Sequence, residues 1–160
     1  MTISISRRQL LRGGRMARPV RRPPWTSRDF TDLCTRCTEC ISACPEKILY
    51  RGDGGFPEIN FTERGCTLCN ECARACPESV FDLTRAAFNW QAEISDACLA
   101  KQNVHCQICQ DQCEVHAIGF KPRLRSAPEP VIDTDACTGC GQCLPGCPSN
   151  AISLEVPNEP

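Results

Sequence analysis

The chain has 160 residues and a formal net charge of −1, and large apolar side chains are scarce in it. Leu, Ile, Val and Phe make up only 32 residues, one fifth of the chain, whereas cysteine alone supplies 16. This composition excludes an ordinary enzyme domain built around a large apolar core, and it predicts that cross-links or cofactors hold the fold together. No stretch approaches the roughly 18 apolar residues that a spanning helix needs, so we expect no membrane span.

The first 28 residues form a basic arm. They carry no acidic residue and eight arginines, which are Arg7, Arg8, Arg12, Arg15, Arg18, Arg21, Arg22 and Arg28. The remaining residues have a net charge of −9. A basic arm on an acidic body predicts a disordered docking element or an intramolecular tether, and a solvated tail is the alternative. Trp25 is its only aromatic residue and no recognisable module is present, so we expect no nucleic-acid partner.

Within this arm, residues 6–11 (SRRQLL) are similar to a twin-arginine export signal. The apolar segment that should follow is replaced by a stretch rich in arginine and glycine, and no cleavage site of the small-residue type follows. We therefore interpret Arg7 and Arg8 either as a chance similarity to an export signal or as partner-binding residues, and we expect the protein to be cytoplasmic.

The cysteines fall into four groups, and three of these groups share one spacing. Three cysteines are each separated by two residues, a fourth follows after three residues, and a proline comes next. The groups are Cys34, Cys37, Cys40 and Cys44; Cys66, Cys69, Cys72 and Cys76; and Cys137, Cys140, Cys143 and Cys147. This is the bacterial run for [4Fe-4S] clusters, in which three thiolates wrap one cubane and the fourth binds its neighbour.

Zinc and disulfides are the alternatives for these cysteines. A zinc ion needs only two C-x2-C pairs, so the third cysteine of each motif would have no role. Disulfides would have to join near neighbours in sequence, and nothing marks the chain as secreted. The spacing therefore favours iron–sulfur clusters.

The remaining group is irregular. It consists of Cys98, Cys106, Cys109 and Cys113, in which the first cysteine has moved five residues upstream and Glu114 stands where the other motifs have proline. A degenerate repeat without a cluster is one interpretation. We favour a fourth cluster, because all four thiols persist. His105 and His116 are nearby, and we expect surface or hydrogen-bonding roles for them and not metal ligation.

Crossed ligation then assigns the sixteen cysteines to four clusters. The predicted sets are Cys34, Cys37, Cys40 with Cys76; Cys66, Cys69, Cys72 with Cys44; Cys98, Cys106, Cys109 with Cys147; and Cys137, Cys140, Cys143 with Cys113.

Short apolar stretches before and after the cysteine motifs predict the fold. Such stretches follow the motifs at residues 48–50, 80–81, 118–120 and 152–154, and precede them at 56–61, 88–90 and 131–133. Asp53-Gly54-Gly55 is typical of a hairpin turn, and residues 121–130 of a surface connection. We predict an α+β chain of two tandem bacterial 2[4Fe-4S] ferredoxin-like units, with short β-hairpins and helices around the clusters. The predicted boundaries are 1–28 for the arm, 29–86 for the first unit and 87–160 for the second.

From residue 6 to about residue 154 the chain resembles the ferredoxin-type accessory proteins of periplasmic nitrate reductase systems. The segments that carry the resemblance are SRRQLLRGG (6–14), RPPW (22–25), RGDGGFPEINF (51–61), CPESVF (76–81) and the irregular segment 96–114. The resemblance implies a cytoplasmic protein with [4Fe-4S] clusters that binds the catalytic molybdenum subunit before export. It implies a role in maturation of that subunit, by supply of iron–sulfur or of electrons.

An electron-transfer polyferredoxin subunit of a respiratory complex is the alternative function. We expect no enzymatic activity of the chain's own, because the reactive side chains are used as ligands and no substrate-site constellation remains.

Overall fold

The computed structural model of the protein describes residues 20–27 and 29–157. Its regular elements are short, because closely spaced cysteines and prolines leave little uninterrupted chain. The helices of the described part are single turns, namely α1 (Phe30–Leu33), α2 (Glu39–Ser42), α3 (Glu71–Arg74) and α4 (Ile108–Asp111). The strands are β1 (Leu49–Arg51), β2 (Pro57–Ile59), β3 (Gln91–Ile94), β4 (Ile118–Arg123), β5 (Ser126–Ile132) and β6 (Ile152–Glu155).

The strands form three antiparallel pairs. Strand β1 pairs with β2, with Leu49 opposite Ile59, and the predicted turn 53–55 joins them as one turn of 3-10 helix. Strand β4 pairs with β5 in a second hairpin. Strand β3, which precedes the third cysteine motif, pairs with β6, which follows the fourth. The fold is thus a small mixture of helices and strands, consistent with the predicted ferredoxin-like units.

The first half of the chain repeats this plan with less regular pairing. A hairpin (β1–β2) again lies between two cysteine motifs, and an isolated antiparallel bridge joins Thr26 to Phe81. This bridge takes the place of the β3–β6 pair, since it connects the segment before the first motif with the segment after the second. The first strand of the first unit therefore comes from the end of the basic arm.

The expectation of a disordered arm is wrong for residues 20–27. Pro23 and Pro24 are almost completely buried. The Trp25 N–H donates to the Ala87 carbonyl at 2.8 Å, and the Trp25 carbonyl accepts from Asp82 N–H at 2.9 Å. Residues 1–19, which include the proposed partner-binding residues Arg7 and Arg8, and residue 28 lie outside the described residues.

Arg21 and Arg22 explain why this basic segment joins the fold. The Arg22 guanidinium lies 5.2 Å and 5.4 Å from the ring centres of Phe30 and Phe56, and 3.7 Å from the Glu58 carboxylate. The Arg21 guanidinium donates to the Leu154 carbonyl at 3.2 Å. Guanidinium groups favour such contacts because they are planar and weakly hydrated, so these two charges stabilise the body.

The predicted surface connection over residues 121–130 is also wrong in part, since those residues complete the β4–β5 hairpin. Lys121 pairs with Glu129, and only Leu124 and Arg125 lie between the strands. Prolines in the segment suggested a loop, because proline cannot donate to a strand ladder. In a two-stranded ribbon each strand has a free edge, and this leaves room for residues without an N–H.

One apolar cluster extends through both units. The rings of Phe88 and Trp90 stack with centres 4.7 Å apart, and Phe61 meets Phe88 edge-on at 6.2 Å. Ile48 and Leu154 are buried in the same cluster, one from each unit. None of the helices in residues 20–27 and 29–157 has the length and apolar character needed to cross a membrane.

Candidate metal centres

Four cavities are each lined by four cysteines, and the four cavities are similar in size. The free space at each site, which includes open solvent at its mouth, is about 330 Å³ at three sites and about 300 Å³ at the fourth. Site 1 is lined by Cys34, Cys37, Cys40 and Cys76; site 2 by Cys44, Cys66, Cys69 and Cys72; site 3 by Cys98, Cys106, Cys109 and Cys147; and site 4 by Cys113, Cys137, Cys140 and Cys143. All sixteen cysteines are free of disulfide bonds.

This grouping agrees with the crossed sets expected from the sequence, including the set that contains the irregular motif. Each site takes three cysteines from one motif and the fourth from the other motif of the same unit. That these thiolates hold iron stays a prediction. Among the described residues, no three His, Cys, Asp or Glu side chains are grouped around a position for one metal ion. Four thiols line each cavity, and this number suits a cluster whose four irons each take one thiolate.

The helix turn between the third and fourth cysteines produces the crossing. In the first motif, α2 carries Cys40 and ends at Ser42, after which Cys44 lies in site 2 and not in site 1. Pro45 follows at once and prevents the helix from continuing. Helix α3 performs the same function for Cys72 and Cys76.

Left-handed residues flank the second cysteine of each regular motif. They are Arg36 and Thr38 in the first motif, Leu68 and Asn70 in the second, and Gly139 and Gly141 in the fourth. All six have φ between 54° and 75°. Alternating hand in successive residues turns backbone N–H groups toward a common centre, and such a concave surface favours a bound anion. A cubane with four thiolates is anionic, so the backbone suits it.

The irregular motif also brings its first three cysteines to one cavity, but with a different backbone conformation. Its five extra residues form a helical turn in which Gln102 N–H donates to the Cys98 carbonyl at 3.0 Å. Asn103 then adopts a left-handed conformation (φ 65°) and ends the turn, as Val104 N–H donates back to the Leu99 carbonyl at 2.9 Å. The chain thereby returns to the cavity, and Cys98 and Cys106 both line site 3.

Several backbone N–H groups donate to cysteine sulfur. Ala117 donates to Cys113 at 3.2 Å, and Ala151 donates to Cys147 at 3.3 Å. Each donor lies four residues after the fourth cysteine of its motif. Hydrogen bonds of this kind stabilise thiolate charge and set the reduction potential of a bound cluster. Sequence spacing alone gave no sign of these donors.

Two side chains at the cavities have polar atoms with no hydrogen-bond partner in the part of the chain that the structure describes. Asn70 Oδ1 at site 2 and Thr138 Oγ1 at site 4 are both buried in this way. A buried polar atom without a partner is costly. The Thr138 hydroxyl could donate to a cluster sulfide, and so could the Asn70 amide with its oxygen and nitrogen exchanged. The residues at these two sites therefore fit a [4Fe-4S] cluster.

Burial disfavours the charged form of several cysteines. It raises the pKa of Cys72 and Cys143 to about 12, and the pKa of Cys40, Cys66 and Cys109 to about 11. Neighbouring thiolates add to the increase. Thiolates crowded into one apolar cavity thus need a compensating positive charge, and bound iron supplies such a charge.

Exposure differs among the sites. Cys37 in site 1 and Cys69 in site 2 are exposed, whereas every cysteine that lines site 3 or site 4 is half-buried or buried. His105 and His116 are exposed as well, and neither is among the residues that line the four cavities. The structure thus places both histidines at the surface, as expected.

Comparison with known proteins identifies the class of these sites. The family model of the 4Fe-4S dicluster domain matches residues 33–80 and again residues 104–151, so the chain contains two such domains and carries up to four [4Fe-4S] clusters. The second match begins after Cys98, the displaced cysteine.

Individual relatives narrow the class of this protein further. The chain is 46% identical to "Ferredoxin-type protein NapF" of Escherichia coli (strain K12), with 97% of each chain covered. It is 45% identical to the protein of the same name in Haemophilus influenzae, with coverage of 83% of this chain and 77% of the relative. "Methylamine utilization ferredoxin-type protein MauM" of Methylobacillus flagellatus is 29% identical over 88% of this chain. The chain belongs to the NapF family of ferredoxin-type proteins.

Proposed function

We propose that the protein holds four [4Fe-4S] clusters at sites 1 to 4 and assists maturation of the catalytic molybdenum subunit of a periplasmic nitrate reductase. Maturation would take place in the cytoplasm, before export of that subunit. The 46% identity to NapF along almost the whole chain is the observation that carries this proposal.

The sites are suited to supply either iron–sulfur or electrons to a partner. For a cluster transfer, the bonds from iron to this chain's thiolates break as bonds to cysteine thiolates of the recipient form, with no change in oxidation state. For electron supply, one electron leaves a reduced cluster and enters the recipient. Cys37 and Cys69 are exposed, so sites 1 and 2 are accessible to a partner for either process.

The charges of the chain support a docking role for the arm. Residues 1–28 have a charge of +8 and the rest of the chain −9. Arg21 and Arg22 contact the body, and the other arginines of the arm would accelerate encounter with a partner of opposite charge. We propose that Arg7 and Arg8 contact the catalytic subunit and that the chain has no enzymatic activity of its own.

An anaerobic co-purification tests this function. The protein is loaded with ⁵⁷Fe and mixed with the catalytic subunit lacking its cluster, after which the complex is isolated and both chains are examined by Mössbauer spectroscopy. Label in the catalytic subunit supports iron–sulfur supply. Oxidation of this protein's labelled clusters without transfer of label supports electron supply. A protein that does not bind this subunit at low salt would contradict the proposal.

Electron transfer as a subunit of a respiratory redox complex is a second candidate function. The direct hydrogen bond between the two units at Cys66 and Cys140 favours it, because this contact brings a cluster site of one unit next to a cluster site of the other. The same labelling experiment separates the two functions. A purely electron-transferring subunit retains all its ⁵⁷Fe and remains bound to its complex.

A further inference from the structure

The β4–β5 hairpin carries most of the positive charge of the second unit. That unit, residues 87–160, has nine acidic residues and only four basic ones. Three of the four basic residues lie close together at the end of the hairpin, namely Lys121, Arg123 and Arg125. The fourth, Lys101, is used inside the fold, where its ammonium group donates to the Ile94 carbonyl at 2.7 Å. The remaining positive charge is therefore concentrated in residues 121–125, which we call the hairpin tip.

A leucine stands among these cations and is almost fully exposed. Leu124 has 93% of its surface accessible, more than any other large apolar residue in the part of the chain that the structure describes. The nearest ion pair joins Arg123 to Glu129 at 4.0 Å, and both side chains are about half exposed, so the pair neutralises the tip only weakly. Apolar surface between arginines is typical of protein interfaces, in which arginine is enriched.

The backbone of the tip adopts a conformation that its residue does not favour. Arg125 has φ 55°, in the left-handed region where a side chain is costly and glycine is the ordinary residue. The hairpin of the first unit has glycines at its left-handed positions, Gly54 and Gly55. Among residues 20–27 and 29–157, no hydrogen bond or ion pair of the Arg125 side chain offsets this cost. Its presence therefore points to a contact outside the fold.

The hairpin presents its tip and protects its edges. Its strands contain three prolines, namely Pro122, Pro128 and Pro130. Proline removes N–H groups from a strand, so the two free edges are poor templates for an added strand. The base of the hairpin is fixed, because Ala127 is buried and its N–H donates to Asn103 Oδ1 at 2.7 Å. Since Asn103 ends the helical turn of the irregular motif, the hairpin stands on the loop that supplies site 3.

We propose that the hairpin tip is a docking surface for the catalytic molybdenum subunit, with Leu124 in an apolar recess of that subunit and Arg123 and Arg125 on carboxylates around the recess. A basic tip fits an acidic surface by charge complementarity. A guanidinium group suits this role because it stays charged and binds a carboxylate through two hydrogen bonds. The identity of the partner rests on the proposed function, and the tip adds a second basic contact to that of the arm.

A membrane and a second copy of the chain fit the tip less well. A bilayer would receive a single leucine, which buries too little apolar area for stable attachment. The nine acidic residues of the same unit would also be repelled by anionic lipid headgroups. On a second copy, the basic tip would bind a different, acidic patch, and head-to-tail contacts of this kind form open filaments unless they close into a ring.

The test compares the affinity of two double variants of the full-length, cluster-loaded protein for the catalytic subunit. Leu124→Ser/Arg125→Gly removes the exposed leucine and one charge from the tip, and glycine suits the φ of residue 125, so the hairpin should still form. Leu83→Ser/Arg85→Gly makes the same changes at exposed positions of the first unit and is the matched control.

Isothermal titration calorimetry under anaerobic conditions, at low and at physiological salt, measures both affinities. We expect the tip variant to have the iron content of the wild type, a Kd about tenfold higher and a weaker dependence on salt, because it loses apolar burial and one charge. The control variant should bind as the wild type does. If the double variant loses iron, Arg125→Gly alone replaces it and should raise the Kd severalfold.

The outcomes separate this surface from the proposed function. A tip variant that binds the catalytic subunit as tightly as the wild type would overturn the docking surface and leave the function intact, whereas a wild type that does not bind the subunit would overturn both. With affinity for the subunit unchanged, loss of binding to phosphatidylglycerol vesicles would assign the tip to a membrane. Loss of self-association in analytical ultracentrifugation would assign it to a second copy. Either of these two results also contradicts the proposal.

Discussion

The two units bring four cysteines to each site with unequal amounts of regular structure. In the second unit, β3 and β6 form a ladder of four residue pairs that closes the fold. In the first unit a single bridge between Thr26 and Phe81 takes this place, assisted by the buried Pro23 and Pro24. The cavities are nevertheless of similar size. Cysteine spacing, helix turns and left-handed residues thus shape the sites, and the closing strands can vary.

The cysteine motifs differ in how easily their backbone conformation is reached. The fourth motif places Gly139 and Gly141 at its left-handed positions, whereas the first places Arg36 and Thr38 there. A residue with a side chain costs roughly 1–2 kcal/mol in that conformation, which glycine adopts freely. The first motif therefore holds strain that the fourth does not, and a bound cluster would have to offset it.

Removal of the clusters should have the largest effect on stability. It should also abolish the difference in regular structure between the two units. The sites occupy the interior, and buried thiols with raised pKa values would face empty cavities. We expect the metal-free protein to be largely unfolded. Circular dichroism after treatment with an iron chelator measures this, with the untreated protein as the control. A cooperative thermal transition in metal-free protein would show that the units fold without iron.

Loss of one cysteine should lower the iron content equally in a regular motif and in the irregular motif. The anaerobic wild type should bind about sixteen iron and sixteen acid-labile sulfides, four of each per site. Cys34→Ser and Cys98→Ser should each lower the iron content by about four if each residue is a ligand. Iron analysis with absorption near 400 nm checks both. Twelve iron in the wild type, with no change in Cys98→Ser, would mean that site 3 binds no cluster.

A side chain at Gly139 should destabilise the second unit. Gly139 has φ 72°, and an added Cβ would lie 2.4 Å from the Trp90 carbonyl oxygen. Gly139→Ala should therefore lower the free energy of unfolding of the second unit by at least about 2 kcal/mol. The loss of cluster absorption in guanidinium chloride measures the effect, and Gly119→Ala is the control in the same unit. Equal resistance of the two variants would refute the packing of Trp90 against this loop.

Removal of the Arg21 side chain should loosen the attachment between the units by a smaller amount. Arg21 lies in the first unit, and its guanidinium donates to Leu154 of β6 and lies 6.0 Å from the Trp90 ring centre. Arg21→Ala should cost about 1 kcal/mol, because the contact is only partly buried. Lys121→Ala removes the same charge from an exposed position and should change little. If the Arg21→Ala and Lys121→Ala proteins resist denaturant equally, Arg21 contributes to stability only through its charge and not through its contacts.

Deletion of residues 2–19 should have the smallest effect on the stability of the rest of the chain. Its effect should be to weaken partner binding. Cluster binding uses Cys34 and later residues, so iron content should not change. Binding to the catalytic subunit should weaken and become less dependent on salt, since exposed charges are screened within about 10 Å at 0.1 M salt. A deletion that continued to residue 22 would also remove Arg21 and Arg22, which the body needs.

Reversing the charge of Arg7 and Arg8 tests how the catalytic subunit recognises the arm. Replacement of Arg7 and Arg8 by glutamate should weaken binding in part if the arm acts through its total charge, and completely if the pair is recognised specifically. Equal affinity of the truncated and the full-length protein at every salt concentration would show that the arm is not a docking element.

The grouping of the cysteines was predictable because it depends on short spacings along the chain. Three cysteines within seven residues followed by proline leave few other arrangements, and even the displaced Cys98 could be placed. Strand positions were less certain. The predicted strand at 88–90 actually begins at Gln91, because Phe88 and Trp90 are used for ring packing against the core.

Long-range contacts account for what the sequence did not reveal. Arg21 and Arg22 looked like part of a solvated arm, yet the Arg21 guanidinium lies near the ring of Trp90 and that of Arg22 lies near the ring of Phe56. The contact of Gly65 with Gln142 depends in the same way on residues that meet only in the fold. Spacing within a motif carries no information on such contacts.

The shared lining of site 4 has a consequence for the unfolded chain. Cys113 and Cys137 stand on either side of the β4–β5 hairpin, and both line that cavity. A cluster bound there closes the intervening chain into a ring, as a disulfide would. Closure of a ring of this length lowers the entropy of the unfolded chain by an amount worth roughly 3–4 kcal/mol on the loop-entropy model. The iron atoms would thus restrict the unfolded state as well as fill the folded one. A chain cut at the exposed Leu124 would remain a single molecule for as long as a cluster stayed bound at site 3 or site 4.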